Sequence, residues 1–367
     1  MKISSVQAIC LRIPVQVPVS GKADTVGLAL VQVQTDEGIT GIGIFRELEM
    51  WATKGLIDRE LAPFLAGRDP LAIERVWLDA PWEAGPSYKV GGGVVTRAVS
   101  AIDQALWDIK GKYLGQPIHK LLGGASESSV ACYITFGLAS LSLEDLVQAA
   151  RQVVGQGHDR IKYQVVAADR GQDISEDVQR LGAVREAIGD SVMLIVDGNA
   201  RYDYNHAREL LRRIQPLNIG CFDHPVVLRD LHLMKELRRE TSIPLAARAY
   251  SGSQWDNRDM ILAGAVDVMH SNVLDSGGYT GGWKVAHMAE LFHLPMATGG
   301  AFHSQNAHLI GGVPNGWMTE YHLLLAQATE AIFIDPPKPV AGRLALPQGP
   351  GFGIELNQAA VQAYTEA

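Results

Sequence analysis

Several polar side chains follow directly on short apolar runs, and their types suit proton transfer and charge stabilisation. In chain order they are Lys162 and Gln164; Asp197 and Asn199; Asp223 and His224; Arg248 and Tyr250; His270 and Asn272; His303; and Glu320. Each has a plain structural reading. Asp197, before Gly198-Asn199, and Asp223, before His224-Pro225, suit turns that cap a following helix. Arg248 suits an ion pair with either aspartate, and a lone histidine such as His270 or His303 suits a buried hydrogen bond. Lys162 resists such a reading, because an unpaired inward ammonium is costly. The set is more specific than its members. Aspartates close "MLIVDGN" and "IGCFDHP" at 197 and 223, and the next equal step lands on Ala249 in "IPLAARAYSG", beside Arg248.

Strands must position these groups. From about residue 129, short apolar runs ("SVACYITF", "RIKYQVV", "VMLIVDGN", "IGCFDHP", "IPLAARA", "AVDVMHSN", "LPMATGG", "WMTEYH") alternate with helix-like segments at 142–156, 174–188, 204–215, 229–239 and 279–292. Strand–helix alternation implies a parallel sheet, and eight runs fit a closed βα-barrel. In such a barrel the residues at the C-terminal strand ends form the site. Lys162 and Gln164, two apart, share one face of their strand. Residues 1 to about 46 read as a β-meander with a turn at Asp36-Glu37-Gly38. Helices are expected at about 49–66, 70–82 and 93–114. The predicted architecture is α/β: an α+β capping domain at 1–125, a (β/α)7β TIM-like barrel at 126–332, and a Pro/Gly-rich segment at 333–367 returning to the capping domain.

The chain has 367 residues, 47% hydrophobic and 20% charged, with a formal net charge of -8. That composition suits a globular protein and argues against nucleic acid or an anionic membrane as partner. The start, "MKISSVQAIC", alternates like a strand and lacks the apolar block of a signal peptide, so a cytoplasmic location is expected. Cys10, Cys132 and Cys221 are few and far apart, so they suggest neither a disulfide framework nor a zinc cluster. No P-loop or G-x-G-x-x-G signature occurs.

Further segments carry a family resemblance. "AVSAIDQALWDIKGKYLGQPIHKLLGG" (98–124), "IVDGNARYD", "CFDHP", "DSGGYTGG", "HLPMATGG" and "GPGFGIEL" occur in an order that resembles the mandelate racemase/muconate-lactonizing branch of the enolase superfamily, over almost the whole chain. The resemblance implies abstraction of a proton α to a carboxylate, with the enediolate held by Mg2+. It also implies substrate-specificity loops from the capping domain, here including Ser20 and Lys22, and Tyr88 and Lys89. A homo-oligomer acting on a small molecule is expected.

The departures from that pattern are informative. Of three acidic metal ligands implied by the resemblance, the first matches Asp197 and the second Asp223, a shorter residue than the usual Glu. The third falls on Ala249, and Arg248 replaces the preceding glycine. Mg2+ is therefore expected to bind weakly or not at all, with Arg248 neutralising Asp197 or Asp223, or meeting a substrate carboxylate. The usual Lys-x-Lys pair is Lys162-Tyr163-Gln164. The aspartate of a racemase-type dyad falls on Asn272, its histidine on Gly299 or Gly300, with His303 nearby, and Glu320 matches an acid of the last strand. One base and one acid favour β-elimination or cycloisomerisation over racemisation. Lys162 is expected as base, with a lowered pKa, or as electrostatic anchor. His303, His224 or Tyr250 would be the proton donor, and Gln164, Asn199, Arg248, Asn272, Glu320, Lys22 and Tyr88 would bind substrate. Two other readings remain open: a non-catalytic binding or regulatory protein on the same barrel, and an ordinary Mg2+-dependent acid-sugar dehydratase.

Overall fold

A computed structural model describes residues 1–46, 49–79, 93–126, 128–137, 141–165, 167, 173–227, 230–249, 251–300 and 302–366. Strands β1 (Ile3–Gln16), β2 (Ala23–Thr35) and β3 (Thr40–Arg46) form an antiparallel meander in that order. The turn between β2 and β3 is tight because Gly38 takes the left-handed region at φ 82. A helical run from Met50 to Leu65 follows, interrupted by a π turn at Ile57–Leu61, and then helices Ile73–Asp79 and Gly93–Leu114. The last of these lies directly on β3. A Cβ at Gly43 would stand 1.8 Å from the Ala101 carbonyl oxygen, so only glycine permits the approach.

The eight apolar runs become eight parallel strands: β4 (Ser129–Gly137), β5 (Arg160–Gln164), β6 (Met193–Asp197), β7 (Ile219–Asp223), β8 (Leu245–Ala247), β9 (Val268–Ser271), β10 (Met296–Thr298) and β11 (Gly316–His322). They pair in sequence order, and β11 pairs with β4 to close the barrel. Helices Leu143–Gly155, Ser175–Ile188, Tyr204–Ile214, Leu231–Arg239 and Gly278–Leu291 occupy the expected intervals. Helix His303–Gly312 gave no periodic signal. It is buried on every side, with polar and apolar residues intermixed, so it has no amphipathic stripe to read. Inside the barrel, Tyr133, Ile195, Cys221, Val268, Ala297 and Met318 pack as one layer, closing the lumen below the strand ends.

After β11 come helix Leu323–Ile332, the pair β12 (Phe333–Ile334) and β14 (Glu355–Leu356), and β13 (Arg343–Ala345), which runs antiparallel to β4. The terminal helix Gln358–Tyr364 packs on β1, and the Glu366 N–H donates to the Cys10 carbonyl at 2.9 Å. The tail thus touches both the barrel and the meander. Among the described residues no helix is long and apolar enough to cross a membrane.

A buried histidine pair ties the entry to the barrel to helix His303–Gly312. The His119 N–H donates to His308 Nδ1 at 3.2 Å, His308 Nε2 meets the Phe352 carbonyl at 3.0 Å, and the rings stack 5.5 Å apart. Burial lowers His119 to about 4 and His308 to about 3. The unfolded chain therefore takes up these protons first, and the stability from keeping the rings neutral is complete above about pH 6.5 and lost as pH falls towards 4. His308→Gln should flatten this dependence, removing on the order of 3 kcal/mol of the loss between pH 7 and 4, as measured by urea unfolding at both pH values. An unchanged slope would show that the ring already charges in the fold.

Candidate active site

Asp197 and Asp223 end adjacent strands and are paired in register, with Gln164 beside Asp197 on β5. Lys162 projects from β5 into the space they border. Its Nζ is 3.0 Å from Asp197 Oδ2, 3.2 Å from Asp223 Oδ2 and 3.0 Å from Glu320 Oε1, and it sits 5.2 Å over the Tyr133 ring. The ammonium and the Asp223 and Glu320 side chains are almost fully buried. Burial opposes the charge on Lys162, yet Asp197, Glu320 and Asp223 hold its pKa well above the usual lysine range. The expected fall towards neutrality therefore does not occur, because three carboxylates face this group.

Those carboxylates differ. Burial opposes ionisation of Glu320, but Lys162, His322, the Gly300 N–H and the Thr135 hydroxyl lower it to about 2. Asp223 is also held below its ordinary range despite burial, by His224, His270 and Lys162. Asp197 is raised by burial and by its neighbour Asp223, so it is the first of the three to take a proton. Asp223 divides its oxygens. Oδ2 faces Lys162, whereas Oδ1 is 2.6 Å from His224 Nδ1 and 3.2 Å from His270 Nδ1. The backbone turns sharply here, with Asn199, Ala200 and His224 all at positive φ, strain of the kind that collects at functional sites.

Above this floor opens a cavity of about 370 Å³. Gln164, Asn199, His224, His270 and His322 line it, together with Arg46 from β3, Arg97 from helix Gly93–Leu114, and Arg248. Arg248 Nη1 pairs with Asp275 Oδ1 at 3.1 Å rather than with the strand-end aspartates, so the cation between Asp197 and Asp223 is Lys162. Arg46 donates to the Gly300 carbonyl at 2.7 Å, and Arg97 pairs with Glu49. Gly299 keeps the floor open, because a Cβ there would stand 3.2 Å from the Tyr133 hydroxyl and 3.5 Å from Glu320.

Three expected site residues stand elsewhere. His303 does not line the cavity. Its Nε2 meets the Pro337 carbonyl at 3.1 Å, and its ring packs 4.6 Å from that of Tyr321. Asn272 is committed to the scaffold, donating to the Gly299 carbonyl at 2.7 Å and accepting from Leu274 N and Asn306 Nδ2. Lys22 is exposed in the β1–β2 connection. Tyr88, Lys89 and Tyr250 lie outside the described residues. His322, Thr135, Arg46 and Arg97 were not anticipated, and His270 was a strand-end candidate without an assigned role. His322 was legible, since it lies two residues past Glu320 and so shares its strand face. Its buried Nδ1 has no hydrogen-bond partner, and burial lowers the ring to about 4.

Similarity to known proteins agrees with this geometry. Residues 3–123 match the profile of the mandelate racemase/muconate lactonizing enzyme N-terminal domain, and residues 145–360 that of the enolase C-terminal domain-like family. The chain is 30% identical over 347 residues to an arabinonate dehydratase of Saccharolobus solfataricus, covering 92% of this chain and 90% of that one. It is 29% identical over 332 residues to a 3,6-anhydro-alpha-L-galactonate cycloisomerase of Streptomyces coelicolor, covering 90% and 89%. A racemase from Streptomyces coelicolor, solved with bound magnesium, superposes with a TM-score of 0.89 at 28% identity, covering 99% of this chain and all of that one. The chain belongs to the mandelate racemase/muconate lactonizing enzyme family of the enolase superfamily. It is an enzyme of the dehydratase or cycloisomerase type.

The residues here do not supply an all-oxygen magnesium triad. Ala249 contributes no donor side chain, and its N–H donates to Asn257 Oδ1 at 2.9 Å. An ammonium already bridges Asp197 and Asp223. Lys162→Met would leave buried carboxylates without their cation, so it should lower stability at pH 7 by about 3 to 5 kcal/mol. Their folded pKa values would then exceed the unfolded ones, so the deficit should shrink as pH falls towards 4. Denaturant unfolding of both proteins against pH measures this, and a deficit independent of pH would mean that the ion cluster is not its source.

Proposed function

We propose that the protein removes the proton α to the carboxylate of a polyhydroxy acid of the acid-sugar class and expels the β-oxygen, without depending on Mg2+. The carrying observation is the Lys162 ammonium, fixed by Asp197, Asp223 and Glu320 at the floor of a cavity with the His270 and His322 imidazoles in its wall. A preorganised positive charge of this kind stabilises an enediolate oxygen as charge develops, with no reorganisation at the moment of reaction. Lys162 therefore acts as electrostatic anchor rather than base. His322 takes the proton. It is held neutral and carries a buried, unpartnered Nδ1, and Glu320 stabilises the imidazolium as it forms. The same imidazolium returns its proton to the departing oxygen, so the balance is loss of water and formation of an enol that tautomerises to the 2-keto acid. Arg46, Arg97 and Arg248 suit the substrate carboxylate, and Gln164 and Asn199 its hydroxyls.

The relatives named for arabinonate and for anhydrogalactonate support an aldonate or anhydroaldonate substrate. Mg2+ is at most weakly held, because two of three carboxylate positions remain and a lysine already serves both. A library of aldonates and anhydroaldonates, screened in D2O for α-proton exchange and for 2-keto product, tests the reading. Turnover should persist in EDTA, fall by about 10²- to 10⁴-fold in His322→Asn, and fall at least as far in Lys162→Met. Full activity of His322→Asn would remove that residue from the mechanism. Strict dependence on added Mg2+ would restore the ordinary metal-assisted reaction.

A further inference from the structure

We propose that Asp223, His224 and His270 form a site for a divalent transition-metal ion of borderline softness, such as Zn2+, Co2+ or Ni2+, in place of a magnesium triad. Three donor atoms converge: Asp223 Oδ1 lies 2.6 Å from His224 Nδ1 and 3.2 Å from His270 Nδ1, and one ligand atom from each residue falls within 4.8 Å of the others. With metal–ligand bonds of about 2.0 to 2.2 Å, neighbouring donors around a tetrahedral or octahedral ion stand roughly 3 Å apart; the Asp223–His270 pair is at 3.2 Å, and the Asp223–His224 pair, at 2.6 Å, would open slightly.

Asp223 is 1% exposed, and both ring nitrogens converge on its Oδ1 within 3.2 Å. The Arg248 N–H donates to His224 Nε2, so His224 carries its proton on Nδ1 towards Asp223, and a bound ion would take the place of that proton. The two rings are inclined at 71°, with centroids 5.7 Å apart, so they approach from different directions and do not stack. Charge agrees as well. Asp197, Asp223 and Glu320 carry three negative charges when ionised, Lys162 returns one positive, and the remaining two match a divalent ion.

The donor set decides the class of ion. Two imidazoles and one carboxylate suit Zn2+, Fe2+, Co2+ and Ni2+, whereas Mg2+ prefers oxygen and water. Lys162 blocks the gap between Asp197 and Asp223, and the other oxygen of Asp223 presents the alternative. All three residues line the cavity, so the open positions of the ion would face a ligand. Coordination through Nδ1 moves the His224 proton to Nε2 and displaces the 3.3 Å contact from the Arg248 N–H.

The test is binding, not turnover, so its failure and that of the proposed reaction are separable. Full-length protein stripped with EDTA would be titrated with Zn2+, Co2+ and Mg2+ by calorimetry, and Co2+ binding followed by its visible absorption. The expected result is one equivalent of Zn2+ or Co2+, bound at least about 100-fold more tightly than Mg2+. His270→Ala and His224→Ala should each weaken binding at least about tenfold, with His270→Gln as a folding-conservative control that also weakens it. Circular dichroism and thermal unfolding establish that each variant is folded. Equal or tighter binding of Mg2+, no binding of any ion, or affinities unmoved in folded histidine variants would each overturn the proposal.

Discussion

One buried ammonium organises the functional end of this barrel. Lys162 sits within 3.2 Å of carboxylates from three different strands, β6, β7 and β11, at a depth where none of the four charges is tolerable alone. The lysine compensates the acids, and the acids keep the lysine charged. Much else follows. A Cβ at Gly299 would press on the Tyr133 hydroxyl at 3.2 Å, and Glu320 reaches out to the Gly300 N–H and the Thr135 hydroxyl. Asp223, with one oxygen committed to the lysine, turns the other towards two imidazoles.

The same interaction places a positive charge of the protein's own between the two strand-end aspartates. One equal step beyond the two strand-end aspartates stands Ala249, which has no donor side chain and whose N–H donates to Asn257. A residue opposite the gap, on β5, supplies the positive charge. Arg248, which stands next to the missing ligand in sequence, faces Asp275 instead. Adjacency along the chain was a poor guide to adjacency across the barrel, since neighbouring strand-end residues point in different directions.

That contrast marks what the sequence made legible. Apolar runs alternating with helices sufficed for eight strands in the right order, because each run is buried on both faces and bounded by turn chemistry. The depth of Lys162 was legible too, since two-residue alternation aims it inward with Gln164. Pairing was not. Whether Lys162 meets acids or Arg248 does depends on side-chain reach across the lumen, which no periodicity encodes. His303 follows a glycine-rich strand end in sequence, yet its ring meets the Pro337 carbonyl rather than the cavity. Asn272, expected to bind substrate, donates to the Gly299 carbonyl instead of lining the cavity.

The "DSGGYTGG" segment shows how the two halves of the molecule are keyed together. Gly277 and Gly278 take positive φ beneath helix Gly93–Leu114, where Ser100 accepts from the Gly277 N–H and Asp103 from the Thr280 N–H. A Cβ at Gly278 would stand 2.2 Å from Asp103 Oδ2. The same loop begins with Asp275, which holds Arg248 at the cavity. A chimera that paired this barrel with a relative's capping domain would thus exchange more than a lid. Unless the incoming helix carried a matching acid and serine, the loop would lose its seat, and the arginine would lose the partner that aims it. Substrate preference in such hybrids should track this seam as closely as it tracks the residues that touch the ligand.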